Sequence, residues 1–242
     1  MELQIANPKT VYSKTREYFH VTKHQLFSSN SVSTNGKNVM DGVKFMNKIN
    51  QSTITACFFD PQYRGIMDKM SYGNEGERQK ERALLSQMNN DTIIEFIREI
   101  NRVLVASGHL FLWIDKFHLC EGIEDWFKKT EFSIVDLITW DKGKIGMGYR
   151  TRRRSEYLMV LQKEPIRAKG IWIKHNIPDT WIEKIAGKIH PHQKPMLLQK
   201  SLIEAVSSEK DYILDPCAGS YSVLEACKLS GRNFIGCDIK TV

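Results

Sequence analysis

The chain has 242 residues, 41% of them hydrophobic and 26% charged, with a formal net charge of +7. These values are those of an ordinary globular protein with one sizeable domain, or one domain with a small insert. No apolar run is long enough to span a membrane, the first residues lack a secretory pattern, and five scattered cysteines form no Cys-x-x-Cys pair. Membrane, disulfide-framework and zinc classes are therefore set aside, a reducing cytoplasm is the expected compartment, and the basic excess favours a polyanionic partner.

Residues 1–37 are polar, rich in Ser, Thr and Asn near their end, and without a clear period. They read as an N-terminal extension to a domain at 38–242. Residues 54–59 are a short, largely apolar run ending at Asp60-Pro61, the pattern of a buried parallel strand opening into a loop. Residues 64–90 form a long connection, either functional or disordered. Asp91-Thr92 starts a helix with apolar positions at Ile93, Ile94, Ile97, Ile100 and Leu104; Gly108 is expected to close it. Strands follow at 109–114, 133–140 and 156–161, with a second amphipathic helix around Ile123, Trp126 and Phe127.

Between the last two strands lies a glycine-bearing loop with Lys142, Lys144, Arg150, Arg152, Arg153 and Arg154. So much charge on a flexible loop suits phosphate contacts; a solvated turn is the alternative. Further on come a helix at 196–207, a strand at 212–214 ending at Asp215-Pro216, a helix at 223–229 stopped by Gly231, and a strand at 233–237 ending at Asp238. This alternation predicts an α/β fold, a doubly wound, mostly parallel sheet with helices on both faces and ligands at the strands' carboxyl ends.

Three clusters bear chemistry. In Asp60-Pro61-Gln62-Tyr63, the Asp60 carboxylate and the Pro61 carbonyl could grip both hydrogens of an aromatic amine, localise its lone pair and stabilise the charge that develops on alkylation. Tyr63 would stack an extruded base. Alone, the tetrapeptide is equally ordinary turn chemistry. Asp215, Pro216, Cys217, Ala218, Gly219 and Ser220 between a strand and a helix have the layout of a nucleotide-cradling loop, and Asp238 at the end of the next strand is placed for ribose hydroxyls. His190-Pro191-His192-Gln193-Lys194-Pro195 precedes a helix. There Lys194 could pair with a carboxylate and the helix start could receive an anion. Two histidines without a third ligand make a metal the lesser reading.

Together these segments resemble the β class of amino-group DNA methyltransferases, which have a Rossmann-like fold with a circularly permuted motif order. Residues 60–63 resemble that family's Asp-Pro-Pro-Tyr motif. Trp140-Asp141-Lys142, Gly146-Met147-Gly148 and Arg154-Ser155-Glu156-Tyr157 resemble a later segment. Residues 190–195 are similar to His-Pro-x-Gln-Lys-Pro, 214–222 to the cofactor loop, and 234–238 to the ribose-binding strand. The catalytic tetrapeptide precedes the cofactor loop, as in the β class.

The resemblance implies S-adenosylmethionine as cofactor, Lys194 near its carboxylate, Asp238 on its ribose and Asp41 near its adenine, after a strand drawn from residues 31–40. It implies double-stranded DNA with a flipped base as substrate, a target-recognition region at 162–188, and, from Asp rather than Ser at position 60, the N6 of adenine. N4 of cytosine, a related RNA or protein substrate, and a non-catalytic DNA-binding subunit are the alternatives. A homodimer and a cognate restriction enzyme as partners are left open. Two departures stand out: Gln62 replaces the second proline of the catalytic motif, and Tyr221 takes a glycine position of the cofactor loop.

Overall fold

Every residue of strand β2 (Ile54–Phe59) is buried, which requires cover on both faces of the sheet. The computed structural model, which describes residues 26–28, 32–62, 87–146, 150–185 and 193–239, shows how this is met. Eight strands form one sheet: β1 (Asn38–Val39), β2, β3 (Leu104–Ile114), β4 (Phe132–Asp141), β5 (Ser155–Lys163), β6 (Thr180–Ile182), β7 (Tyr212–Asp215) and β8 (Asn233–Asp238). Their spatial order is β1-β8-β7-β2-β3-β5-β4-β6. The pairs from β1 through β3 are parallel. β5 runs antiparallel to both β3 and β4, and β6 is parallel to β4.

Side chains alternate across this sheet with the two-residue period of a strand. Leu110, Leu112 and Ile114 of β3 face one core, while Phe111 and Trp113 face the other. The first core is covered by α1 (Gly42–Met46), α2 (Asn90–Val103) and α4 (Glu124–Phe127). The second is covered by α5 (Met196–Val206) and α6 (Ser222–Ser230). A short helix, α3 (Lys116–Glu121), follows β3. The architecture is the doubly wound, mostly parallel sheet expected from the sequence. No helix among the described residues is long and apolar enough to cross a membrane.

Two local expectations are corrected. Helix α2 begins one residue earlier than its predicted cap, because the Asn89 side chain accepts from the Thr92 backbone N–H. It also ends without Gly108: Leu104 is already extended, and β3 starts there. Gly108 instead lies where the β2–β3 register shifts. A Cβ at that position would sit 2.9 Å from the Val105 carbonyl oxygen and 3.0 Å from that of Thr55, so close backbone approach, not helix capping, explains the glycine.

Candidate active site

The chain leaves β2 towards β3 on one side, and β7 connects to β8 on the other, so the sheet order reverses between β7 and β2. Open α/β sheets bind ligands at such a switch point, outside the carboxyl ends of the strands. Here those ends carry Asp60 after β2, Asp215 closing β7, Asp238 closing β8 and Asp41 just beyond β1. β5 is antiparallel to β3, so its first residues reach the same edge: Tyr157 lies opposite Ile114. The sequence-predicted residues Asp60, Lys194, Asp215 and Asp238 are thus brought to one edge.

Lys194 is the centre of the constellation. Its Nζ lies 3.0 Å from Asp60 Oδ2 and 3.0 Å from Glu156 Oε2, and it stands 4.9 Å from the centroid of the Trp113 ring, a cation–π contact. The other carboxylate oxygen of Glu156 accepts from Lys142. Burial opposes ionisation of Glu156, but Lys194 and Lys142 beside it prevail and hold its carboxyl down to about 2. Burial likewise opposes the Lys194 ammonium, yet Asp60 and Glu156 outweigh it and raise its pKa. Signs therefore alternate along Lys142, Glu156, Lys194 and Asp60. The Pro61 side chain is buried, and the Gln62 carbonyl accepts from Met88 N–H at 2.7 Å, closing the loop base. Tyr63 lies outside the described residues, as do most of the 64–90 connection, Met147, Gly148 and His190 to His192.

The 215–220 loop is clasped to the end of β8. Asp215 Oδ1 accepts from Cys217 N–H at 3.2 Å, Ala218 N–H donates to the Cys237 carbonyl at 3.0 Å, and Gly219 N–H donates to Asp238 Oδ2 at 2.9 Å. Burial, reinforced by Asp60 and Asp238, pushes the Asp215 carboxyl up to about 8, so it is largely protonated at neutral pH. Burial also raises the Cys217 thiol well above its ordinary value, which removes it as a nucleophile. Ser220 ends the loop, and Tyr221 follows with φ 57° and ψ 30°, the left-handed conformation that a glycine adopts readily. Its ring packs edge-on against Phe234 at 6.0 Å, and its hydroxyl donates to the Asn38 carbonyl at 3.2 Å. Those contacts hold a bulky residue where relatives' motifs have glycine. Asp41 accepts from Lys44 N–H at 3.0 Å and so caps α1, while Met40 N–H donates to the Asp238 carbonyl at 3.0 Å.

The basic loop divides. Lys142 points inward to Glu156, and Arg154 pairs with Asp141 at 2.7 Å. Arg152 donates to the Gly146 carbonyl at 2.8 Å, and Arg153 lies 5.8 Å over the Phe117 ring. Lys144, Arg150 and Arg152 are exposed.

The expectation that the α5 start receives an external anion is corrected. Glu183 already occupies it, accepting from Leu197 N–H and Leu198 N–H at 3.0 Å each, while the Trp181 indole N–H donates to the same carboxylate at 2.8 Å. Pro195 supplies no side-chain cap, so a remote acid takes the role. Trp172 and Trp181 pack against the second core, whereas His175 is exposed. Sequence reasoning missed Glu156, Trp113 and Glu183 as parts of the site. Glu156 was signalled only as a charge entering an otherwise apolar strand.

The family model described as DNA methylase matches residues 54–241. Type II methyltransferase M.HhaII of Haemophilus parahaemolyticus is 58% identical over 207 residues, covering 85% of this chain and 91% of that protein. Among solved structures, PvuII DNA methyltransferase, described as cytosine-N4-specific, has a TM-score of 0.67 at 13% identity, covering 88% of this chain and 86% of its own. The M1.HpyAVI-SAM complex has a TM-score of 0.62 at 19% identity, covering 84% and 92%. These two establish the fold. The chain belongs to the DNA methylase family of amino-methyltransferases, whose cofactor is S-adenosylmethionine. The acidic strand ends suit that cationic cofactor, and the 215–220 loop has no Lys or Arg with which to demand phosphates.

Proposed function

We propose that this protein methylates the N6 amino group of adenine in duplex DNA, as the modification enzyme of a Type II system. The observation that carries the reading is the Asp60 carboxylate at the end of β2, held at one oxygen by Lys194 and set across the switch point from the 215–220 loop.

S-adenosylmethionine supplies an electrophilic methyl group. Asp238 would accept from its ribose hydroxyls, Asp41 would lie towards its adenine, and residues 215–220 would line it. Lys194 would serve its carboxylate as well as Asp60. The target base leaves the helix, since an amine inside the duplex is out of reach. Asp60 and the Pro61 carbonyl then accept from its two amine hydrogens, drawing the nitrogen towards tetrahedral geometry and stabilising the positive charge that forms on it. The proton is lost only after transfer. Tyr63 would stack the base, and Gln62 would add an amide contact. Lys144, Arg150, Arg152, Arg153 and Arg154 would meet phosphates. Asp rather than Ser at position 60 supports adenine over cytosine.

Labelled methyl transfer to mixed-sequence duplex DNA, followed by nucleoside identification, tests this. N6-methyladenine is the expected product. N4-methylcytosine would keep the amine grip and correct the base; absence of any labelled base would overturn the function.

A further inference from the structure

Lys194 presents a single ammonium to two carboxylates, 3.0 Å from each. Whatever changes its attraction to Glu156 changes its hold on Asp60. Glu156 comes from the start of β5, Asp60 from the end of β2 and Lys194 from the segment before α5, so only the fold brings them together. Glu156 is bound on its second oxygen by Lys142, from the far side of the β4–β5 turn. Trp140 and Glu156 are register partners, and the Lys142 Nζ sits 5.4 Å over the Trp140 ring. The residues at 140, 142 and 156 thereby share one face of the sheet.

From this geometry we propose that Glu156 and Lys142 are positioning residues for methyl transfer: they set how firmly Lys194 holds the Asp60 carboxylate. The inference rests on the amine-gripping role proposed for Asp60. Asp60 must stay ionised to accept from the amine, and it must not be so tightly neutralised by Lys194 that it stops accepting. A lone Lys194–Asp60 pair would over-neutralise it. Glu156 draws part of the ammonium's charge away. Lys142, by satisfying the other oxygen of Glu156, keeps that draw from stripping Lys194 off Asp60. The charged groups that act on Asp60 are Lys194 before α5, Glu156 on β5, Lys142 after β4, and Asp215 on β7.

Removing one charge on either side of Lys194 therefore has opposite consequences. Glu156→Gln commits the ammonium to Asp60 and removes a neighbouring negative charge, so Asp60 titrates at lower pH. Lys142→Met leaves Glu156 to pull on Lys194 alone, so Asp60 titrates at higher pH. At ~6 Å and partial burial each change is worth about one pH unit. Simple structural damage would not move the two variants in opposite directions.

The test is carbon-13 carboxyl NMR on the full chain, with the Asp60 resonance identified by its loss in Asp60→Asn. The midpoint is expected to fall in Glu156→Gln, to rise in Lys142→Met, and to stay near the parent's in Lys142→Arg. Lys142→Met moves the midpoint upward, within the pH range of the folded protein, so it decides the matter even if Glu156→Gln does not fold. An unmoved midpoint in Lys142→Met, or shifts of the same sign in both variants, would overturn the proposal. This titration needs no turnover. A parent protein that transfers no methyl would reject the proposed function without touching this result. Where the parent is active, the acid limb of its rate profile should move with the midpoint.

Discussion

Lys194 Nζ stands 3.0 Å from Asp60 Oδ2, joining a segment just before α5 to the end of β2 across the centre of the sheet. The placement of Lys194 depends on how α5 begins. That start has no cap of its own at Pro195 and is closed by Glu183.

Glu183→Ala should therefore act on both stability and the site. Two helix N–H groups lose their acceptor, at a cost of about 1–2 kcal/mol, and the segment carrying Lys194 loses its anchor. Urea unfolding should show the loss, accompanied by reduced methyl transfer. A variant as stable as the parent would mean water replaces Glu183 without penalty.

Asp215 makes stability depend on pH in an unusual direction. Its folded carboxyl is pushed up to about 8 by burial, then by Asp60 and Asp238, whereas an unfolded Asp titrates near ~4. The folded chain then binds the proton more readily. The stabilisation is fully present below ~4 and is lost as pH rises through about 8. Asp215→Asn, which mimics the protonated acid, should flatten this dependence and raise the melting temperature at pH 8–9 relative to the parent. Parallel melting profiles for the two proteins would show that Asp215 is ionised when folded.

Tyr221 occupies a left-handed position, φ 57°, where glycine is favoured by about 1 kcal/mol. Its ring is nonetheless buried against Phe234, and its hydroxyl reaches β1. Burying an aromatic side chain is worth ~3–5 kcal/mol when it is truncated, so packing outweighs strain. Tyr221→Gly should lose roughly 2–4 kcal/mol in chemical denaturation, although it restores the residue common in the family's motif. Equal or higher stability would mean that the left-handed strain dominates.

Arg150 and Arg152 are exposed on the basic loop. Replacing both with Ala should weaken DNA binding across sequences and reduce the slope of log affinity against log salt by ~2. An unaltered slope would return these residues to the role of a solvated turn.

Much of this was legible in the sequence, for physical reasons. β2, β7 and β8 are buried on both faces, so they appear as apolar runs, and each meets its acidic residue at the carboxyl end. β6 has only three residues, Thr180, Trp181 and Ile182, too few to show a period. Gly108 resembled a helix stop because sequence alone does not reveal that Leu104 already leaves the helix. Lys142 grouped with the arginines by adjacency, yet the pairing of Trp140 with Glu156 turns it inward. The Glu156–Lys194 pair spans 38 positions, and only the fold makes those residues neighbours. The capping of α5 by Glu183 is likewise a tertiary contact, invisible to local propensity.

The central claim is that Asp60 grips the target amine and does not merely hold the fold or the cofactor. The most direct measurement is made on Asp60→Ala, with calorimetric binding of S-adenosylmethionine and labelled methyl transfer to duplex DNA followed in the same preparation. The account predicts cofactor affinity within a few-fold of the parent's and transfer reduced to background. Transfer near the parent's rate would contradict it and move the amine-gripping role to another residue.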